Sequence, residues 1–198
     1  MYPVGESEIT VAPFEVPSHW PRCFGMDTGW NATAAVWLAH DKETQTVYVY
    51  SEYKRGQAEI AIHAEAIRAR GAWIPGVADA AAITNQDGAQ FIAQYKRLGL
   101  SIELPDKTVE AGIQDVWSLL SAGKLKVFTS CAQLLEEYRL YRRDDKGRVV
   151  KLNDHVMDAL RYAVRSGLSK ARMGPAKKGK PLEAEYRDPK TAGQSWMQ

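Results

Sequence analysis

Cysteine is scarce: the 198-residue chain holds two, Cys23 and Cys131. Two such residues, far apart and without CxxC spacing, exclude a disulfide scaffold, a zinc ribbon and a thioredoxin-type redox motif, so both thiols read as reduced core residues. Long apolar runs are missing as well. Charges interrupt every hydrophobic stretch well before the roughly 18 residues of a membrane-spanning helix, and the first residues lack a charged segment followed by an apolar one. Neither a membrane span nor a secretory leader is expected. Self-similarity at a period of roughly 20–50 residues is absent, which excludes a solenoid or propeller. Net charge is close to nil: 26 Lys and Arg against 24 Asp and Glu leave +2. Bulk charge therefore makes no case for nucleic acid, although basic residues cluster locally at Arg139, Arg142, Arg143, Lys146, Arg148 and Lys151, and again at Lys170, Arg172, Lys177, Lys178 and Lys180. Such patches can contact phosphates in a chain whose total charge is balanced.

What is present is an ordinary hydrophobic content of 45%, enough for one well-buried domain. Residues 1–21 are rich in Pro, Ser and Glu without a sustained period and read as an irregular lead-in with room for one short edge strand. Cys23 to Asp27 is an apolar run ending in one acid, followed by a turn through Gly29 and a second apolar run over 32–39. A third, alternating β-rich run covers 46–53, giving an antiparallel meander. Helical spacing then predicts helices over 57–70, 89–98, 109–122, 132–141 and 153–168, with Gly71, Gly99 and Gly123 as stops after the first three. Short strands are expected at 73–79, 101–104 and 125–128, a turn at 85–88, and an exposed hairpin or loop at 142–150. From Ser169 onward Gly, Pro and Lys without periodicity read as a flexible basic tail. The expectation is an α/β domain over 22–168: a mixed central sheet, three antiparallel strands followed by parallel ones, flanked by helices.

Acids punctuate this pattern. Asp27 ends the first strand of the meander, Asp79 ends the strand at 73–79, and the last helix carries His155 and Asp158 three residues apart, on one face. A carboxylate in an apolar strand needs a cation, because an ionised group stripped of water without compensation is costly. Each residue has a plainer reading alone: Asp27 as a turn former, Asp79 as the start of a loop, His155 as a satisfied histidine, Asp154 as a helix cap. The ordered set, strand acid, strand acid, helix HxxD, favours a shared site with oxygen donors suited to Mg²⁺ or Mn²⁺.

These residues carry a resemblance. Phe24-Gly25-Met26-Asp27-Thr28-Gly29, Val77-Ala78-Asp79 and His155-Val156-Met157-Asp158-Ala159-Leu160-Arg161-Tyr162 resemble the nuclease domain of the large terminase subunit of tailed bacteriophages, over about 22–167. The resemblance implies an RNase H-like (retroviral integrase-like) fold in which Asp27, Asp79 and Asp158 bind divalent metal, Mg²⁺ or Mn²⁺ and two ions in all, with His155 beside them. It implies cleavage of concatemeric double-stranded DNA during headful packaging, in the host cytoplasm, with a portal protein and a small terminase subunit as partners. In such chemistry one ion activates a water and a second, about 3.5–4 Å away, neutralises the leaving oxygen. The ATPase half of a large terminase carries a phosphate-binding loop, and no GxxxxGK[ST] occurs here, so ATP hydrolysis is not expected of this chain. Two rivals stay open: the same fold acting on a four-way junction or an RNA/DNA hybrid, and a non-catalytic module that binds DNA or the portal. For DNA contact the best internal candidates are Arg142, Arg143, Lys146, Arg148 and Lys151, just ahead of the helix bearing Asp158.

Overall fold

A computed structural model describes residues 1–79 and 88–175. The elements run α1 (Glu6–Ile9), β1 (Thr10–Val11), β2 (Arg22–Asp27), β3 (Thr33–Asp41), β4 (Thr46–Arg55), α2 (Ile60–Arg68), β5 (Gly76–Asp79), α3 (Gly88–Arg97), β6 (Ile102–Glu103), α4 (Val109–Ser121), β7 (Leu125–Phe128), α5 (Ala132–Leu140) and α6 (His155–Tyr162). They form a seven-stranded sheet in the order β1-β7-β4-β3-β2-β5-β6. β2, β3 and β4 are the antiparallel meander, while β5, β6, β7 and β1 join in parallel. The mixed α/β architecture expected from the sequence is the one observed.

Period-2 alternation divides the core. Along β2, Cys23 and Gly25 face one side and Phe24 and Met26 the other. Cys23 joins Ala34, Val36, Leu38, Val127 and residues of α4, α5 and α6 in one cluster; Phe24 and Met26 join Ala35, Trp37, Ile67 and Tyr95 under α2 and α3 in the second. β3 is buried along nearly its whole length because it is central and covered on both faces.

The approach of α6 to the sheet depends on Gly25. A Cβ there would lie 2.2 Å from the Ala159 carbonyl oxygen and 2.6 Å from the Ala163 nitrogen, so any side chain would lift the helix. Beyond Tyr162 the helix widens into a π turn (Ala163–Gly167) and then a 3₁₀ turn (Leu168–Lys170), where the sequence pattern predicts one continuous α-helix.

The ends of the described chain are also held to the domain. Within 1–21, β1 edges the sheet beside β7, Ile9 is buried, and Tyr2 stacks on Tyr138 and Tyr141. Past Ser169, Arg172 forms a two-way backbone bridge with Arg22, at 2.8 and 3.1 Å. The remainder of the expected tail, and the turn expected at 85–88 apart from Gly88, lie outside the described residues.

Candidate functional site

Parallel pairing puts Asp27 directly beside Asp79 at the carboxyl ends of β2 and β5. Across the sheet, Asp27 pairs with Ala34, and Ala34 with Lys54. Asp79, Asp27, Ala34 and Lys54 thus make one row, facing the side that α6 covers. Sequence spacing cannot show this row, because it joins strands that are up to 52 residues apart in the chain between Asp27 and Asp79.

α6 lies over the row with His155, Asp158 and Tyr162 along its inner side, the i, i+3, i+7 spacing of one helical face. His155 Nδ1 stands 2.9 Å from Asp27 Oδ2; since an ionised carboxylate only accepts, the imidazole proton sits on Nδ1. Tyr162 donates its hydroxyl to Asp79 Oδ2 at 2.8 Å. Asp158 Oδ1 takes Arg161 at 3.0 Å, and Asp158 Oδ2 takes Lys151 at 2.7 Å. Lys107 lies against Asp79 Oδ1, which makes no hydrogen bond. Thr28 fixes the strand end by donating to the Asp79 carbonyl.

The electrostatics are those of acids crowded under a helix. Burial pushes the Asp27 carboxyl above its usual range; the His155 hydrogen bond pulls it back, and the charges of Asp158 and Asp79 push it up again. His155 is shifted upward, chiefly by its bond to Asp27 and against its own burial. Burial also raises Tyr162, so its hydroxyl stays a donor.

All three sequence-predicted acids and His155 therefore lie at one end of the sheet, Asp27 beside Asp79 in register and His155 on Asp27, with Asp158 on the same helix. Asp154 precedes α6, yet its side chain makes no capping bond and turns to Lys151 at 3.0 Å. The cap is supplied from elsewhere: Glu137 of α5 accepts from the Val156 and Met157 amides. Among the described residues no three His, Cys, Asp or Glu side chains converge as a ready ligand set; each aspartate faces its own partner. The donors nonetheless suit a hard divalent ion, being carboxylate oxygens close enough that the charges of Asp158 and Asp79 add to burial in raising Asp27.

The basic segment is rearranged relative to its sequence reading. A hairpin does form, bridged at Arg143 and Val149. Arg143 forks onto Glu110, Arg148 pairs with Asp144, and Lys151 is drawn into the acidic site. Arg142 and Lys146 remain exposed, with no carboxylate partner among the described residues. Lys107, Tyr162, Glu137 and Lys54 are missed by sequence reasoning. Tyr162 alone had a local signal, four residues after Asp158 on the same helical face. A cavity of about 790 Å³, lined by Trp30, Phe91, Tyr95 and Leu98 among others, lies between α2 and α3 and contains none of the three aspartates.

Residues 24–166 match the family model described as the terminase RNase H-like domain. The chain belongs to this family. Among its relatives, the large terminase subunit of Salmonella phage P22 is 34% identical over 176 residues, covering 82% of this chain and 34% of that protein. The large terminase of Enterobacteria phage LP7 is likewise 34% identical, over 82% of this chain and 36% of its own length. The chain thus spans about a third of the curated relatives it matches. The solved P22 large terminase nuclease domain superposes with a TM-score of 0.80 at 31% identity, covering 87% of this chain and 93% of that one. The nuclease domain of the large terminase of bacteriophage SPP1, solved with bound Mn, shares the fold at a TM-score of 0.61 and 17% identity, covering 78% and 93%. Among the described residues of this terminase RNase H-like domain, no helix is long and apolar enough to cross a membrane.

Proposed function

We propose that this chain is a divalent-metal-dependent endodeoxyribonuclease that cuts concatemeric double-stranded DNA during headful packaging, with Asp27, Asp79 and Asp158 as its metal-holding residues. The observation that carries the reading is the register of Asp27 beside Asp79 beneath the helix that bears Asp158. The P22 nuclease domain, at 31% identity, and the SPP1 neighbour with bound Mn support it. When bound, Mg²⁺ or Mn²⁺ ions, two in this reading, supply an activated water and neutralise charge on the leaving oxygen.

The chain's own residues do the rest. His155 holds Asp27 Oδ2 in one orientation by donating from Nδ1, and Tyr162 does the same for Asp79 Oδ2. Arg161, 2% exposed, holds Asp158 Oδ1 in place from behind at 3.0 Å. Lys107 and Lys151, with side chains 49% and 58% exposed, neutralise the acids and can pass to the phosphates of incoming DNA when cations take their place. Packaging in the host cytoplasm, beside a portal ring and a small terminase subunit, is part of the same proposal, supported by the relatives being large terminase subunits.

The test is plasmid nicking with Mn²⁺, Mg²⁺ or chelator, alongside four-way junction and RNA/DNA hybrid substrates. Metal-dependent nicking of duplex DNA that Asp27→Asn and Asp79→Asn each abolish is the expected result. Metal-independent nicking, or preference for the junction or the hybrid, would sink it.

A further inference from the structure

Glu137 is 2% exposed, and both of its oxygens are used. Oε2 accepts from the amides of Val156 at 2.7 Å and Met157 at 3.1 Å, the opening turn of α6. Oε1 accepts from Lys54 Nζ at 2.7 Å. The first interaction places a negative charge where free amides and the helix dipole favour one. Capping alone does not need it, since a neutral Ser or Asn at the position before the helix satisfies the same donors without burying an ion. The second interaction gives the pair its meaning: Lys54 stands in the cross-strand row with Ala34, Asp27 and Asp79.

The sheet row and α6 are therefore joined at two points. His155 meets Asp27 directly, and Glu137 links Lys54 to the residues that follow His155. Asp158 lies one turn further on, so its place over Asp27 is set by these two ties together with the close packing at Gly25. The seat of Glu137 is itself fixed from β4, because Glu52 accepts from the Gln133 and Leu134 amides and caps α5 in turn. Two residues of one strand thus reach both helices: Glu52 caps α5 directly, and Lys54 holds the Glu137 carboxylate that caps α6.

We propose that Glu137 and Lys54 are positioning residues for the proposed metal centre, a buried strut that sets α6, and with it His155 and Asp158, over the Asp79–Asp27 row. The inference rests on the nuclease reading for its consequence, and on geometry alone for its structure. Residues that orient ligands from behind typically change metal affinity by about 10- to 100-fold when altered.

Lys54→Met is the informative variant, because it keeps the Glu137 acceptor for the α6 amides while severing its tie to the sheet, and because it also takes the cation from a buried carboxylate its melting temperature is read beside it; Glu137→Gln is the second. Three readouts are taken on the full chain well below each melting temperature: Mn²⁺ affinity from the free-ion EPR signal, the Nδ1 chemical shift of His155 in chelator, and the melting temperature itself. Lys54→Met is expected to weaken Mn²⁺ binding about 10-fold and to move the His155 signal toward that of a free imidazole, with folding retained. A folded Lys54→Met protein with wild-type Mn²⁺ affinity and an unmoved His155 signal would overturn the proposal and leave Glu137 a helix cap. If the wild type binds no Mn²⁺, the nuclease reading fails, and the His155 signal still decides whether the strut positions α6. Should Glu137→Gln fail to fold, Lys54→Met decides alone.

Discussion

At the residue scale the aspartates are not equivalent. Asp27→Asn removes a charge that burial and two neighbouring acids oppose, so the metal-free protein should melt no lower than wild type while cleavage is abolished. Asp158→Asn leaves Arg161 buried without an anion. Breaking such a pair costs about 3–5 kcal/mol, and the retained amide oxygen places the loss toward the lower end. Paired thermal melts in chelator check this: equal melting temperatures for the two variants would show that Arg161 does not depend on Asp158. His155 sets a pH dependence. Its folded pKa lies above its ordinary value through Asp27, so its stabilising contribution is complete below an unfolded pKa of about 6.5 and is lost as pH rises through the higher folded value. The melting-temperature gap between wild type and His155→Ala in chelator should therefore be wider at pH 6 than at pH 9. A gap that widens with pH contradicts the assignment.

At the element scale, α6 is seated by close backbone contact on β2. Gly25→Ala forces a Cβ against the Ala159 carbonyl and a neighbouring amide, and overpacking of this kind costs about 1–3 kcal/mol, with more where backbone must move. The expected outcome is a lowered melting temperature together with weaker Mn²⁺ binding, since the displaced helix carries Asp158 and His155. Normal metal affinity in a destabilised Gly25→Ala protein would show that the helix can shift without disturbing the site. The hairpin at 142–151 calls for a different variant from the one its sequence composition recommends. Arg143 and Arg148 are paired with Glu110 and Asp144, which leaves Arg142 and Lys146 as the residues of this hairpin proposed for DNA contact. Replacing both with Ala should flatten the salt dependence of DNA binding by roughly one log–log unit per lost contact. An unchanged slope assigns the contacts to another surface.

At the scale of the whole molecule, the end of the described chain is part of the sheet's support. Arg172 bridges Arg22 through two backbone hydrogen bonds, Lys170 pairs with Glu103, and Gly174 packs on Trp73. A chain ending at Ser169 loses all of these, whereas one ending at Gly174 keeps them and removes residues 175–198, with Lys177, Lys178, Lys180, Arg187 and Lys190 against Glu183, Glu185 and Asp188. The first truncation should lower the melting temperature and the second should not, while both lose Lys177, Lys178 and Lys180. Comparing the salt-dependent DNA binding of the Gly174-terminated chain with that of the full chain reads the charge beyond 174, and comparing the two truncations reads the contribution of residues 170–174. Identical melts for the two would place the stable boundary before residue 170.

Alternation in 46–53, the helical periods and the glycine stops announce their elements locally, because the period of apolar residues is a property of a short window. The three aspartates and His155 were legible for a related reason: an acid ending an apolar strand, or facing inward on a helix, is anomalous wherever it is read. What the sequence alone determined is therefore the order of elements and which of them carry unexplained charge. The tertiary structure decided who neutralises that charge. Lys107 reaches Asp79, Lys151 leaves a basic loop for Asp158, and Glu137 rather than Asp154 caps α6. None of these pairings has a local signature, since ion pairs and caps of this kind are selected by distance in the folded chain and by the cost of leaving a buried charge alone.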